Sequence, residues 1–575
     1  MPSDLRRTPH SDTVELDSPA LSQRPQYGGG ITKLTVDIPP SYKPTTESRH
    51  PPLWRTPEFL VYGVAFVVVV PIMFWIPMRL SSNSHPNYPL YKRKLSPGWL
   101  FGRQVDNSDH QYRSFRDNVP LLAILVAIFL VLKTAYVRVA ASRFSVRQDT
   151  KLYLVPFLLI FSSLMLLGLH GSSALKVLVI LSVNYAIAKY TGLSKLGPIL
   201  TWLFNTGVLF AADKYAGFPY ARIHPSLQPL DSLEGLYRWH VGFNITMLRL
   251  ISFNMDYYWA CNRIGLADTG RSLEYKERTT TYHPLEMYSF WNYLAYALYS
   301  PLYIAGPIMT FNDFLWQLRR PTSIPLRSTM GYLVRFLVCI LTMEFVLHFM
   351  YVVAIKDTKA WHGYSAAELS MIGFWNLIVV WLKLLIPWRF FRLWALLDGV
   401  DPPENMVRCM ANNYSAQGFW RSWHRSYNLW IVRYIYIPLG GTKNVVFTTV
   451  LVFTFVALWH DLSFRLLAWG WLVSLFILPE LIAQYLLPPS RFGNQWWYRH
   501  ACAIGAVFNI LMMMTANLVG FVIGTEGISY LLNELFSTWE GIRFLIGSCV
   551  CIFVASQVMF EYREEERRRG IVRRF

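Results

Sequence analysis

The sequence predicts an all-α fold, a polytopic membrane protein built as a bundle of helices. Hydrophobic residues make up 53% of the 575 residues and charged ones only 15%, against about 25% charged in an ordinary soluble domain. Aromatic residues reach 16%, which suits long lipid interfaces where amphipathic rings settle. Apolar stretches of about bilayer length, roughly 20 residues, recur along most of the chain. A soluble multidomain protein, a disordered chain and a collagen-like chain are excluded.

The elements follow in order. Residues 1–56 are polar and rich in Ser, Thr and Pro. They cannot bury a core and are expected to be a disordered tail. No charged region followed by an apolar one opens the chain, so no cleavable signal peptide is expected. The first span runs from Phe59 to Pro77, followed by a loop with Lys92, Arg93 and Lys94. Further spans are expected near 119–137, 152–169, 174–190, 197–212, 288–309, 332–354, 370–397, 445–459, 465–487, 502–523 and 541–559. Segments 239–259 and 418–437 are apolar but carry Arg, Asn, Asp or His. Intramembrane charge is costly unless enclosed, so these two read as re-entrant or protein-buried. The expectation is about 11 to 12 spans plus one or two re-entrant elements, forming one transmembrane domain over 57–560. A basic tail, 561–575, closes the chain, and its arginines favour a cytosolic C-terminus. No repeat of fixed period is present.

The net charge is +19. Because the basic residues sit mainly beside apolar spans, anionic headgroups and anionic substrates are the expected partners, not nucleic acid. The six cysteines form neither a CxxC pair nor a disulfide ladder, so no zinc or redox motif is visible.

Histidine is the side chain best suited to proton transfer near neutral pH. Three histidines sit in long apolar contexts: His348, His424 and His460. His460 ends the run Val445 to Trp459, either as an interfacial residue snorkelling toward water or as a base facing a buried cavity. His424 lies in FWRSWHRSYNLW. A helix there would put His424 and Asn428 on one face with Trp420 above them, and it could equally be a surface helix with its basic side to headgroups. Pro438-Leu439-Gly440-Gly441 is a strong breaker between the two histidines. From His424 to Gly440 is about 24 Å of helix and from Gly441 to His460 about 28 Å, so a hairpin would return both to similar depth.

The string FWRSWHRSYNLWIVRYIYIPLGG, followed by ALWHD, resembles the membrane-bound O-acyltransferase family. RLISFNMDYYW at Arg249–Trp259 and YSPLYIAGPIMTFNDF at Tyr299–Phe314 resemble it too. The SFNMDYYW, WHRSYNLW and IPLGG segments look most like the fungal glycerol uptake branch, a neighbour of the Hedgehog acyltransferases. Asp461 departs from the Gly that many members place after the second His. The resemblance implies an endoplasmic-reticulum enzyme that re-acylates the lyso-phosphatidylinositol of GPI anchors from acyl-CoA. It implies His460 as general base, His424 as the group orienting the acceptor or steadying the oxyanion, and Asn428 as a helper. No GxSxG motif appears, which favours direct transfer without an acyl-enzyme. Arg421, Arg425, Arg433 and Lys443 would serve the phosphates of coenzyme A, with Trp420, Trp423 and Tyr427 beside them; ordinary headgroup contact is the alternative for each cation. No metal and no permanently bound cofactor is expected. The partners are acyl-CoA, a membrane lipid or GPI-anchor acceptor, and the bilayer.

Other polar residues have blander readings. Arg249, Asn254 and Asp256 are expected to form a buried Arg–Asp pair holding the fold, with substrate contact as the alternative. Glu344 and His348, one turn apart, read as an intramembrane hydrogen bond in preference to a metal site. Lys383, Arg389 and Arg392 around Pro387 read as a kinked helix end, and Gly306-Pro307 as a helix break. A proton-coupled glycerol transporter using Glu344, His348 and His424 is the competing function, and a non-catalytic scaffold is the third.

Overall fold

The computed structural model describes residues 51–143, 150–233, 235–268, 273–460, 464–569 and 571. The expected N-terminal tail, but for 51–56, and Asp461 lie outside these residues. The described residues are mainly helical and include two small strand pairings: an antiparallel hairpin of β1 (Leu95–Pro97) and β2 (Gln104–Asp106), and a parallel pairing of β3 (Leu266–Ala267) with β4 (Thr281–Tyr282).

The helices that position the site are, in order, α1 (Pro57–Leu80), α2 (His110–Arg143), α3 (Val155–His170), α4 (Ala174–Thr191), α5 (Leu196–Lys214), α6 (Trp239–Cys261), α7 (Phe290–Ala297), α8 (Ser300–Tyr303), α9 (Phe311–Arg319), α10 (Leu326–Phe349) and α11 (Ala366–Asp398). They are followed by α12 (Ala416–Ser422), α13 (Arg425–Ile431), α14 (Val445–His460), α15 (Phe464–Leu486), α16 (Tyr498–Asn517), α17 (Gly524–Ser537) and α18 (Trp539–Arg568). Among the described residues, eight helical stretches are long and apolar enough to cross a membrane, fewer than the 11 to 12 expected. The spans expected at 152–169 and 174–190 form one stretch, Leu152–Thr191, interrupted by a 3-10 turn at Gly171–Ser173. The 445–459 span is the 16-residue α14.

The 288–309 span is broken into α7 and α8. Pro301 and Pro307 supply no N–H, so carbonyls near the break lose helical donors. Arg249 of α6 donates to Ala297 O, the carbonyl that Pro301 cannot serve, at 2.9 Å, and to Leu302 O, which also accepts from Gly306 N. This corrects the expected pair: Arg249 serves the break and not Asp256. The partner of Asp256 is Arg433, at 2.8 Å, and the same carboxylate accepts from the Tyr434 hydroxyl and the Asn312 amide. Asn254 instead joins α6 to α4 and α5 through Asn184 and Thr201. With 14 buried residues, α6 is enclosed by protein.

Helix ends follow local chemistry. Ser365 and Glu368 form a capping box that starts α11, and Gly399, at φ +83°, ends it in the left-handed region. In place of the expected helix end, α11 runs through Pro387 to Asp398. Glu344 is held by Arg116 at 2.6 Å and Trp99 Nε1 at 2.8 Å, and His348 Nδ1 donates to Glu344 O at 2.7 Å. The basic segment expected as a tail from Glu561 continues α18 to Arg568, and within it Glu566 pairs with Arg408 at 2.6 Å.

Helices α14, α15, α16, α18, α1 and α11 pack in succession, with α17 against α18 and α11 and the short α12 against α15 and α16. This ring encloses a cavity.

Candidate active site

The cavity has a volume of about 1570 Å³ and a mainly apolar wall, larger than the roughly 300–1,000 Å³ of a typical small-molecule pocket. Both His424 and His460 line it.

His424 does not sit within one continuous helix. It is the hinge between α12 and α13, at φ 45° and ψ 48°, a left-handed conformation that costs energy for a residue with a Cβ. Two anchors hold it. On the N-terminal side, the buried Glu480 carboxylate of α15 accepts from Ala416 N at 2.8 Å, Gln417 N at 3.2 Å and the Ser415 hydroxyl. This places a negative charge at the start of α12, where free N–H groups point outward. On the C-terminal side, Asn405 accepts from Arg425 N through its carbonyl at 3.0 Å and from Ser426 N through its side chain at 3.2 Å. The imidazole itself stacks on Trp388 of α11, with centroids 4.5 Å apart and planes at 19°.

His460 ends α14. Its neighbour Trp459 donates Nε1–H to Asn244 O of α6 at 3.0 Å. Tyr427 lies between the histidines, its ring 5.2 Å from His424 and 6.5 Å from His460, and it stacks on Trp459 at 4.3 Å. Neither imidazole has a hydrogen-bond partner among the described residues, which leaves ring nitrogens for a ligand. The Tyr427 hydroxyl and Trp420 Nε1 are buried without partners among the described residues, and both side chains line the cavity.

Of the other residues singled out from sequence, Asn428, Arg421, Trp420, Trp423 and Tyr427 line the cavity. Arg425, Arg433, Lys443, Arg249, Asn254 and Asp256 do not. Arg433 departs from its expected coenzyme A role because Asp256 holds its guanidinium, which also lies over the Trp259 ring at 4.6 Å. Lys443 is exposed in a 3-10 turn, Gly441–Asn444, away from the cavity. Trp388 and Glu480 carry no local sequence signal for a site; each meets the His424 segment across dozens of residues.

A mainly helical membrane protein that encloses paired histidines in an apolar cavity defines a class suited to chemistry on lipid chains. The model of the MBOAT, membrane-bound O-acyltransferase family, matches residues 216–525. The chain is 47% identical over 547 residues to membrane-bound O-acyltransferase GUP1 of Saccharomyces cerevisiae, covering 93% of this chain and 96% of that one. It is 39% identical over 581 residues to membrane-bound O-acyltransferase GUP2 of the same yeast, covering 96% and 93%. To protein-cysteine N-palmitoyltransferase HHAT of Mus musculus it is 29% identical over 193 residues, 31% of this chain and 37% of that one. The chain belongs to the membrane-bound O-acyltransferase family and is an acyltransferase.

Proposed function

We propose that the protein moves a long acyl chain from acyl-CoA to a hydroxyl of a membrane lipid, the lyso-phosphatidylinositol of GPI anchors, in the endoplasmic-reticulum membrane. The observation that carries this reading is the shared cavity of His424 and His460, whose wall is mostly apolar. An alcohol is too weak an acid to attack a thioester unaided, so a base must take its proton as attack proceeds. A His460 ring nitrogen takes that proton while the hydroxyl oxygen bonds to the thioester carbon. His424, with Asn428 one turn on, donates to the developing oxyanion. Collapse breaks the carbon–sulfur bond, and the His460 imidazolium returns the proton to the leaving thiolate. The ester and free coenzyme A result, with no acyl-enzyme.

The test is acyl transfer by the full-length protein in lipid nanodiscs, with labelled long-chain acyl-CoA and a lyso-GPI acceptor. His460→Ala and His424→Ala are each expected to lose at least a hundredfold in kcat, about the lower range for general acid–base catalysis, with unchanged abundance. Retained turnover in His460→Ala overturns the base. No turnover by wild type with any acceptor, alongside glycerol flux in sealed vesicles, favours the transporter.

A further inference from the structure

The backbone on either side of His424 is gripped by one irregular segment, Asn405 to Arg408, that belongs to neither α12 nor α13. Val407 N donates to Ser422 O at 3.4 Å, and Asn405 accepts from Arg425 N at 3.0 Å and from Ser426 N at 3.2 Å. These bonds bracket His424, which holds a left-handed backbone at φ 45° with a Cβ in place. A strained backbone persists only where its surroundings over-determine it, so the gripping segment must itself be fixed.

Its start is fixed from the bundle. Arg392 of α11 donates Nε–H to Pro402 O at 2.9 Å and pairs with Asp401 at 2.8 Å, and Asp401 N donates to Gln317 of α9 at 2.8 Å. Its end is fixed by the extension of α18. Arg408 makes two bonds to Glu566, Nη2 to Oε2 at 2.6 Å and Nη1 to Oε1 at 3.2 Å, and both residues are buried. One turn earlier on α18, Arg563 donates to Asn412 O at 2.8 Å and to Asn412 Oδ1 at 3.0 Å. Two parallel bonds between planar groups fix direction as well as distance. Arg408 follows Val407 directly and lies three residues from Asn405, so where α18 holds Arg408 decides where the bracket around His424 sits.

We propose that Arg408 and Glu566 are positioning residues for acyl transfer: the last turns of α18, through their hold on Arg408, set the backbone at His424 and with it the aim of the imidazole. This rests on the acyl-transfer reading above and adds to it a pair outside the cavity, which neither Arg408 nor Glu566 lines.

The experiment uses full-length protein in lipid nanodiscs, with activity expressed per folded, monodisperse particle. Wild type is compared with Glu566→Gln, with the exchanged pair Arg408→Glu/Glu566→Arg, and with Glu344→Gln, which breaks the Arg116 pair of α10 outside the cavity. In Glu566→Gln an amide N–H₂ stands where Arg408 needs an acceptor, so one of the two bonds is lost at constant volume. Its kcat is expected to fall about tenfold, less than the roughly hundredfold of an ångström-scale misplacement. KM for acyl-CoA and for the acceptor changes less than about twofold, because ground-state binding is untouched. The exchanged pair restores kcat, and Glu344→Gln leaves it at the wild-type value. Amide exchange over residues 416–431, measured without substrate, is expected to quicken about tenfold in Glu566→Gln while residues 174–191 stay as in wild type. Should Glu566→Gln not fold, Arg408→Lys, which keeps the charge and loses the fork, takes its place with the same expectations. Wild-type exchange over 416–431 in the folded variant overturns the proposal, as does an exchanged pair that folds without restoring kcat. A kcat loss matched by Glu344→Gln, or faster exchange throughout the chain, marks a general loss of stability and overturns it too. Absence of turnover in wild type counts against the acyl-transfer reading, and the exchange measurement then decides by itself whether the α18 clasp holds the His424 backbone.

Discussion

Asp256 is fully buried, and Arg433 is the cation that compensates it. Removing one member of such a pair leaves an isolated charge in a dry interior, which costs about 3–5 kcal/mol. Arg433→Ala is therefore expected to lower thermal stability strongly while leaving KM for acyl-CoA unchanged in whatever fraction folds. A selective rise in that KM without loss of stability would return Arg433 to the coenzyme A site. His283, in the loop before α7, gives a second prediction. It is buried, donates from Nε2 to Asn312 O at 2.9 Å and meets Arg319 Nη1 at 2.9 Å through Nδ1. Burial, and then the Arg319 charge, push its pKa down to about 4, from about 6.5 in an unfolded chain. The neutral ring is the folded form, so its contribution is fully present above pH 6.5 and is lost as pH falls toward 4. By pH 4.5 the loss is roughly 2–3 kcal/mol. His283→Gln should flatten the fall of melting temperature between pH 7 and 4.5; an unchanged slope refutes the linkage.

At the scale of elements, the short α12 depends on Glu480 from another helix. Losing a helix cap costs about 0.5–2 kcal/mol, and small misplacement of a reacting group can cost about a hundredfold in rate. Glu480→Ala is expected to lower kcat by roughly tenfold to a hundredfold, with Glu480→Gln intermediate; a folded Glu480→Ala with wild-type kcat would dismiss the anchoring role. The same element shows where sequence reading stops. The polar residues spaced through 239–259 marked α6 as protein-enclosed because bare charge cannot face lipid. The Pro438–Gly441 breaker allowed for a return of the chain, and both histidines line one cavity. Nothing in RSWHRSY announces a break, since it holds neither Gly nor Pro. His424 is held left-handed by Asn405 and, through α12, by Glu480, contacts made by distant chain that no local pattern records. Gly306-Pro307 signalled an interrupted helix, yet the chain already leaves helix at Leu298. The role of Arg249 there was invisible, because its acceptors are carbonyls, which every residue has.

At the scale of the whole molecule, the order of packing around the cavity separates its two ends. His460 ends α14, and α18 lies beyond α15 and α16 in the ring. Along α18, Gly547, Ser548, Cys551 and Ala555 line the cavity among the bulkier Phe544, Leu545, Ile552 and Val558, so the small positions leave gaps between large ones. A Cβ built on Gly547 meets nothing within 4 Å, so a larger side chain enters the cavity without displacing a neighbour. If the acyl tail runs from the histidines toward α18, filling that space shortens the chain that fits. Overpacking a filled apolar site costs about 1–3 kcal/mol, so Gly547→Phe is expected to slow transfer of the longest chains about tenfold and to leave shorter chains near wild type. Gly505 on α16 is the control: it is also open, with nothing within 4 Å of its Cβ position, but does not line the cavity. Gly505→Phe should preserve the chain-length profile. The measurement is kcat/KM across a series of acyl-CoA lengths at a fixed acceptor, repeated across acceptor lengths at a fixed donor. A profile that moves only with acceptor length would place the acceptor's tail, and not the donor's, against α18.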